Sequence, residues 1–540
     1  MTLLLTVILV ALVFEYINGF HDTANSIATV VSTKVLTPRQ AVVLAAGTNL
    51  LGAMWGTAVA KTISSGLVDS KMVAMTSDII ICALVGAIIW NLLTWWFGLP
   101  SSSSHALIGG LCGSALAASK NDWRVIIWSQ PDPHHWYQGK GLLWKVIVPM
   151  VTSPIAGLIL GFIVMALLYL LLQKARPLWV NRFFGRAQMV SAGAMGFMHG
   201  TNDAQKTMGI ISLTLMAATG AGTLNNVPAW LRFLYTSEPG PAVYSAMNQL
   251  GEAYRDGAGA KQSDKAAENW FRKAAEKNNP DAQENLAAMI RARRIAGASE
   301  HEARELAARA AETRKGSSPT PFALQVRKMK DAPQEPQASS IWHQQLAEKG
   351  NADAEAFLGV ALLEGHGLPP DESAGIDLLR KAAGHGSSEA MFNLGALHRQ
   401  GRGISKDDRE ALLWFRRCAD QEGIRLWIKI VCALVMAAGT AVGGWRIIKT
   451  LGHKMVKLHP INGFAAETSS ATVILAATHL GIPVSTTHNI SAAIMGVGAA
   501  RRLNAIKWTV VERMVWAWIL TIPITGLLAY AFVRLLRADG

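Results

Sequence analysis

Two stretches decide the fold: Gly19-Phe-His-Asp22-Thr-Ala-Asn25-Ser26 and Gly200-Thr-Asn-Asp203-Ala-Gln-Lys206-Thr207. Each sets a carboxylate three residues before a second polar side chain, so Asp22 and Asn25 share a helix face, and Asp203 and Lys206 repeat the geometry. A second matched pair lies downstream: Pro100-Ser-Ser-Ser-Ser-His105 and Pro483-Val-Ser-Thr-Thr-His488. Asp22 precedes Pro100 by 78 residues, whereas Asp203 precedes Pro483 by 280. The excess of 202 residues marks an insertion into the second copy of an internal repeat. Matched halves broken at corresponding polar positions are the sequence pointer to a membrane protein that binds its ligand near the midplane.

The rest of the composition agrees. The chain has 540 residues, is 51% hydrophobic and carries a formal net charge of +14. Residues 237–425 hold 26 of its 51 basic and 27 of its 37 acidic residues, so the inserted block is near neutral and the positive excess belongs wholly to the apolar remainder. A nucleic-acid binder would concentrate basic residues on a water-exposed domain. Here they fall between long apolar runs, as in a polytopic membrane protein. Cys82, Cys112, Cys418 and Cys432 form no CxxC pair, which argues against a thiolate zinc site or a disulfide scaffold. The first apolar run leads straight into Glu15, Asn18 and Asp22, which reads as a retained span rather than a cleaved leader.

About 20 apolar residues cross roughly 30 Å of hydrocarbon as helix. Candidate spans or inserted segments are 2–18, 41–60, 79–97, 145–172, 189–217, 426–448, 461–480 and 512–536. Residues 106–118 and 490–500 are too short to cross. Each follows one of the proline-led polar elbows and reads as a re-entrant helix, tolerated where it lines a cavity. The predicted fold class is all-α: a polytopic helical membrane protein with inverted repeats and re-entrant helices, plus an inserted soluble α-solenoid. The domains are 1–236, 237–425 and 426–540.

The inserted block repeats every 36 residues. Leu250-Gly251, Leu286-Ala287, Phe322-Ala323, Leu358-Gly359 and Leu394-Gly395 form one series, and Trp270, Leu306, Trp342, Leu378 and Trp414 a second. Two amphipathic helices per unit with small residues at the helix contacts make five units of an α-solenoid. The pattern resembles Sel-one-like repeats, relatives of the tetratricopeptide repeat, and the resemblance implies a protein partner.

In the membrane part, carboxylate plus amide oxygen suits a proton or a sodium ion. A carboxylate at membrane depth costs about 2.5–3.5 kcal/mol unless a cation or donor meets it. The hydroxyl runs start short helices, whose free N–H groups and positive dipole ends favour an anion. Two such helix starts would hold a tetrahedral oxyanion with neutral donors and still release it. His105 and His488 read as packing and hydrogen-bonding groups with proton relay open, and His21 either as tuning the proton step or, the preferred reading, as facing a polar vestibule. Lys206 either neutralises Asp203 or meets the anion. His134, His135, His453 and His459 have no catalytic or metal partner at useful spacing.

These motifs, with Ile89-Trp-Asn-Leu-Leu-Thr-Trp-Trp-Phe-Gly-Leu-Pro100, His199-Gly-Thr-Asn-Asp203 and Gly481-Ile-Pro-Val-Ser485, closely resemble the inorganic phosphate transporter (PiT) family, in particular its bacterial low-affinity branch. The resemblance covers both halves of the membrane part. It implies ion-coupled import of inorganic phosphate across the plasma (bacterial inner) membrane by alternating access. Phosphate would meet Asn25, Ser102, Ser103, Ser104, Gln205, Ser485, Thr486 and Thr487. The coupling ion, a proton or alternatively sodium, would sit near Asp22 and Asp203, with Glu467 as a further ligand and Lys206, His105 and His488 as accessory groups. No dedicated metal site or organic cofactor is implied, although a divalent metal can travel with the phosphate. Lys61 stands where sodium-coupled relatives carry an acidic residue, and His21 replaces the usual Asn before the first Asp. The repeats would be cytoplasmic, docking a protein partner or a second copy of the chain. Two other readings stay open: a symporter of sulfate or another oxyanion, and a membrane-anchored nutrient sensor or scaffold acting through the repeats. With no P-loop, nucleophile elbow or metal-ligand set, an enzyme is not expected.

Overall fold

The computed structural model describes residues 1–65, 67–69, 72–73, 75–130, 141–220, 223–224, 227–234, 236, 240–314, 333, 335–348, 350–422 and 424–538. His134 and His135, and the Phe322-Ala323 anchor, lie outside them, as does most of the 319–337 stretch. Two compact units divide the chain: Met1–Ala217 with Ile424–Gly540, and Ala218–Gly423. Among the described residues the structure is helical, with a single isolated β-bridge between Val68 and Ile126.

In the first unit the helices are α1 (Thr2–Ser32), α2 (Pro38–Ala53), α3 (Ala58–Ser65), α4 (Ser77–Phe97), α5 (Ser103–Ala118), α6 (Val148–Leu172) and α7 (Pro177–Gly220). After the middle unit follow α17 (Leu426–Val442), α18 (Trp445–Lys449), α19 (Pro460–His479), α20 (Thr486–Arg501) and α21 (Trp508–Ala538). Among the described residues, four helices have the length and apolarity to cross a bilayer: α1, α4, α6 with its preceding π turn, and α21. The most apolar window of the α6 span has a mean hydropathy of 2.8 and only 17% of it is buried. An apolar face left uncovered by protein, carrying Ile155, Ile159, Phe162 and Leu170, is the face a spanning helix offers to lipid.

Three expected spans are built differently. The 41–60 run breaks between α2 and α3, and 426–448 bends by 57° at Gly443-Gly444. The 189–217 run is part of α7, a single helix of 44 residues. At the second break Gly443 and Gly444 are buried, the setting in which freed backbone is tolerated at membrane depth, whereas Met54 and Trp55 at the first are exposed.

The elbows are matched in detail. Gly98 and Gly481 both take left-handed backbone, at φ +65° and +63°, two residues before each proline. That conformation carries no Cβ penalty only for glycine, and it turns the chain out of the preceding helix. Ser102 then accepts a hydrogen bond from His105 N at 3.2 Å, and Ser485 accepts one from His488 N at 3.2 Å. These N-caps start α5 and α20 earlier than the apolar periodicity marks, at Ser103 and Thr486, so both helices have 16 residues. The hydroxyls read as an elbow thus occupy first helical turns. α5 packs along α4 and α21, and α20 along α6 and α19.

The middle unit holds α8 (Pro241–Asp256), α9 (Asp264–Ala275), α10 (Pro280–Arg291), α11 (Glu300–Arg314), α12 (Pro336–Glu348), α13 (Ala352–Glu364), α14 (Glu372–Gly384), α15 (Ser388–Gln400) and α16 (Asp408–Ala419). Hairpins α8/α9, α10/α11, α13/α14 and α15/α16 carry the 36-residue series on their first and second helices. Their stacking does not follow chain order. α8 packs on α16 and α15, as α10 packs on α9 and α15 on α14, so the first hairpin lies beyond the last. Arg399 crosses this seam to Gln249 Oε1 at 2.5 Å. The first helix of the unit therefore lies beside its last one, the geometry an insertion into a connecting loop demands.

The packing anchor of the second series is one residue later than the sequence reading has it. Phe271, Leu379 and Phe415 are buried, whereas Trp270 and Trp414 lie partly exposed under Lys273 and Arg417. Gly251, Gly359 and Gly395 face those buried side chains so closely that a Cβ on Gly395 would lie 2.7 Å from the Phe415 ring. Overpacking of this kind costs about 1–3 kcal/mol. Gly395→Val is therefore expected to lower the stability of the middle unit by that amount, read as loss of amide-exchange protection in α15 and α16; unchanged protection would show that this contact is not required.

Candidate functional site

α1 and α7 bring the duplicated motifs together. Asp22 and Asp203 are both buried, and one ligand atom from each of Asp22, His199 and Asp203 lies within 4.8 Å of the others. Bare carboxylates so close in a low-dielectric interior repel strongly, and each has a cationic or donor partner. Asp22 Oδ1 is 2.7 Å from His21 Nδ1 and accepts from Thr487 Oγ1 at 3.2 Å. Asp203 pairs with the Lys206 ammonium, lies 3.1 Å from His199 Nε2 and accepts from Thr486 Oγ1 at 3.1 Å.

The third residue after each Asp reaches an elbow. Asn25 Nδ2 donates to Thr486 Oγ1 at 3.1 Å and to Thr487 Oγ1 at 2.9 Å. Lys206 donates to Ser104 Oγ, and Ser104 in turn meets Val484 O at 3.4 Å. Asn25 and Lys206 hold the same place in the two motifs, as do Thr487 and Ser104 in the two elbows. The repeat thus builds one contact twice, once neutral and once charged. Ser103 Oγ and Asn25 Oδ1 are buried without a hydrogen-bond partner, which leaves donor and acceptor capacity between the elbows.

Other sequence-predicted residues stand elsewhere. Gln205 Oε1 accepts from Val59 N at 2.8 Å and Ala60 N at 3.3 Å, and its amide donates to Trp55 O, so it caps α3 rather than facing the elbows. Ser102 and Ser485 are engaged as helix caps. Glu467 forms a separate cluster: it accepts from Thr29, from Ser191 and from Gln188 Nε2 at 3.2 Å. The His105 and His488 rings lie 4.9 Å apart edge to face, and His488 stacks on Trp518 at 4.2 Å. Neither imidazole has a hydrogen-bond partner among the described residues, so both pack without bonding. His21 does not face a vestibule. It is fully buried and links Asp22 to Thr94 Oγ1 at 3.1 Å, and Thr94 accepts from Ser101 at 2.8 Å.

His199 was not among the residues singled out for the site. Its signal is the four-residue spacing to Asp203, which puts both on one helix face. Thr29, Gln188 and Ser191 carry no comparable signal, because only tertiary packing brings them to Glu467.

The arrangement gathers two carboxylates, one ammonium, two imidazoles and three helix-start hydroxyls into one buried cluster. Such a set can exchange partners: a hydroxyl that donates to a carboxylate can donate to an incoming oxyanion once that carboxylate is neutralised.

The phosphate transporter family matches the chain over residues 18–529. A probable low-affinity inorganic phosphate transporter of Bacillus subtilis is 28% identical over 539 residues, covering 99% of this chain and 98% of its own length. A protein of the same description in Rhizobium meliloti is 29% identical, covering 98% of this chain and 94% of its own. Among solved structures, a sodium-dependent phosphate transporter is 19% identical, covers 100% of both chains and has a TM-score of 0.46. With a match across nearly its whole length, interrupted motifs included, the chain belongs to the phosphate transporter family.

Proposed function

We propose that this protein imports inorganic phosphate together with protons, binding the anion between the starts of α5 and α20. The observation that carries the reading is that Thr486 and Thr487, at the start of α20, donate to Asp203 and Asp22. The groups suited to an oxyanion and the groups suited to a cation share the same protons.

Coupling follows from that sharing. While both carboxylates are ionised, they hold the threonine hydroxyls and repel an anion. Protonation removes the repulsion and frees Thr486 and Thr487 to donate to phosphate, joined by Ser103 and Ser104 from α5 and by the N–H groups of both helix starts. Asn25 Nδ2 keeps the two hydroxyls in register. Lys206 supplies the positive charge for the phosphate as its hold on Asp203 relaxes. A proton suits this site better than sodium, because Lys206 and His21 already occupy the cation-facing sides of Asp203 and Asp22. A divalent cation carried with phosphate would find its ligands in Asp22, His199 and Asp203; in that case uptake depends on the metal and stops with a chelator. The halves then rock about the filled site. The middle unit is read as a cytoplasmic protein-docking module, on its near-neutral charge and repeated helical hairpins.

In proteoliposomes, an inward proton gradient is expected to drive labelled phosphate uptake that excess sulfate leaves unaffected; competition by sulfate would favour a general oxyanion carrier. Thr486→Val with Thr487→Val removes two donors, each worth about 1.5–3 kcal/mol to a charged acceptor, so uptake should fall by at least about tenfold. Wild-type uptake in that variant would remove α20 from the phosphate site. Asp22→Asn should abolish gradient-driven uptake, and normal rates would refute its role in coupling.

A further inference from the structure

We infer that Glu15, with Asn18 and Thr207, forms a second proton-binding site of the transporter, two helical turns from Asp22 along α1. The inference rests on the proton-coupled reading above and extends it to a residue that neither the duplicated motifs nor the elbows contain.

Glu15 is fully buried in the apolar first span. Its Oε2 accepts from Thr207 Oγ1, while Oε1 has no hydrogen-bond partner. Asn18, one turn further along α1, is a side-chain hydrogen-bonding neighbour of the same carboxylate, yet among the described residues neither of its buried amide atoms completes a bond of ordinary geometry. A buried polar group without a partner is costly, and here three such atoms come from two neighbouring side chains. A single proton on Oε1 makes the acid neutral and its O–H a donor, for which Asn18 Oδ1, on the next turn of α1, is a buried acceptor. No sodium ion is needed, and the neighbouring Lys206 ammonium would repel one. The titratable or charged groups within electrostatic reach of Glu15 are Asp203 and Lys206 on α7 and Cys432 on α17.

The position has a counterpart. α1 and α7 run past each other so that Glu15 meets Thr207, Asp22 lies by Asp203 and His199, and Thr29 approaches the Gln188–Ser191 end. Glu15 and Thr29 are each seven residues from Asp22, about 10 Å along the helix. Thr29 is the residue that donates to Glu467. Buried carboxylates therefore flank the central pair on both sides, Glu15 toward one end of α1 and Glu467 toward the other. A proton taken up by the Glu15 carboxylate on one side of the membrane gives the neutral acid, and its release on the other side regenerates the carboxylate, with no other bond made or broken and in addition to the proton at the Asp22–Asp203 pair.

The test is the number of protons moved per phosphate, read in proteoliposomes of the full chain with a trapped pH dye and labelled phosphate. Glu15→Gln, which fixes the neutral form, should lower that number by one, and Glu15→Asp should retain it. An unchanged number in Glu15→Gln overturns the site while leaving proton coupling intact. Phosphate uptake by the wild type without proton movement overturns the coupling reading itself. Should Glu15→Gln fail to insert, infrared difference spectra decide: the wild type should show a protonated-carboxyl band that shifts in Glu15→Asp, and a band unmoved by that change would reject the assignment.

Discussion

A buried ion pair flanked by hydroxyl donors governs the membrane unit. Asp203 and Lys206 lie one turn apart on α7, in an interior where an unpaired charge would cost several kcal/mol. Neutralising each other, they allow a polar core inside apolar helices, and everything around them is arranged to reach it. The left-handed glycines turn α4 and α19 into the elbows, the serine caps fix where α5 and α20 begin, and those helix starts bring Ser104 and Thr486 to the charged pair and Thr487 to Asp22. Asp22 completes the set with a neutral amide, Asn25, in the place that Lys206 takes in the other motif. The duplicated architecture is symmetric, but its charge is not, and that asymmetry gives one elbow to an ammonium and the other to two carboxylates.

In the proposed function the consequence is competition for protons. In the arrangement described, hydroxyl hydrogens go to carboxylates. An oxyanion needs those same hydrogens, and it needs the carboxylates neutral. Substrate and cation binding are then linked through shared hydrogen bonds, without a separate device to connect them. The lysine adds electrostatic attraction but is itself held, which suits a carrier that must let phosphate go. The inferred Glu15 site adds a second proton to the same cycle, apart from the one that neutralises the centre.

Much of this was legible in the sequence. Duplication of Asp22-Thr-Ala-Asn25 as Asp203-Ala-Gln-Lys206, and of one proline elbow by the other, located the centre, because spacing on a helix translates directly into a shared face. The two short helices after the elbows and the helical hairpins of the middle unit were readable too, the first from length and the second from the 36-residue period. What escaped depends on packing between distant segments. Gln205 sits in the motif yet turns to cap α3, since a glutamine can swing to whichever orphan N–H groups lie near. His21 is drawn inward by Thr94, a contact across 73 residues. The stacking of the first hairpin beyond the last leaves no trace in a periodic sequence, because every unit presents equivalent faces to either neighbour.

The measurement that bears most directly on the central claim is a phosphate-bound structure at acidic pH. The account requires phosphate between the starts of α5 and α20, with Thr486 and Thr487 turned from Asp203 and Asp22 to donate to it and Lys206 within reach. Phosphate bound elsewhere, with both threonines still donating to the carboxylates, would contradict it.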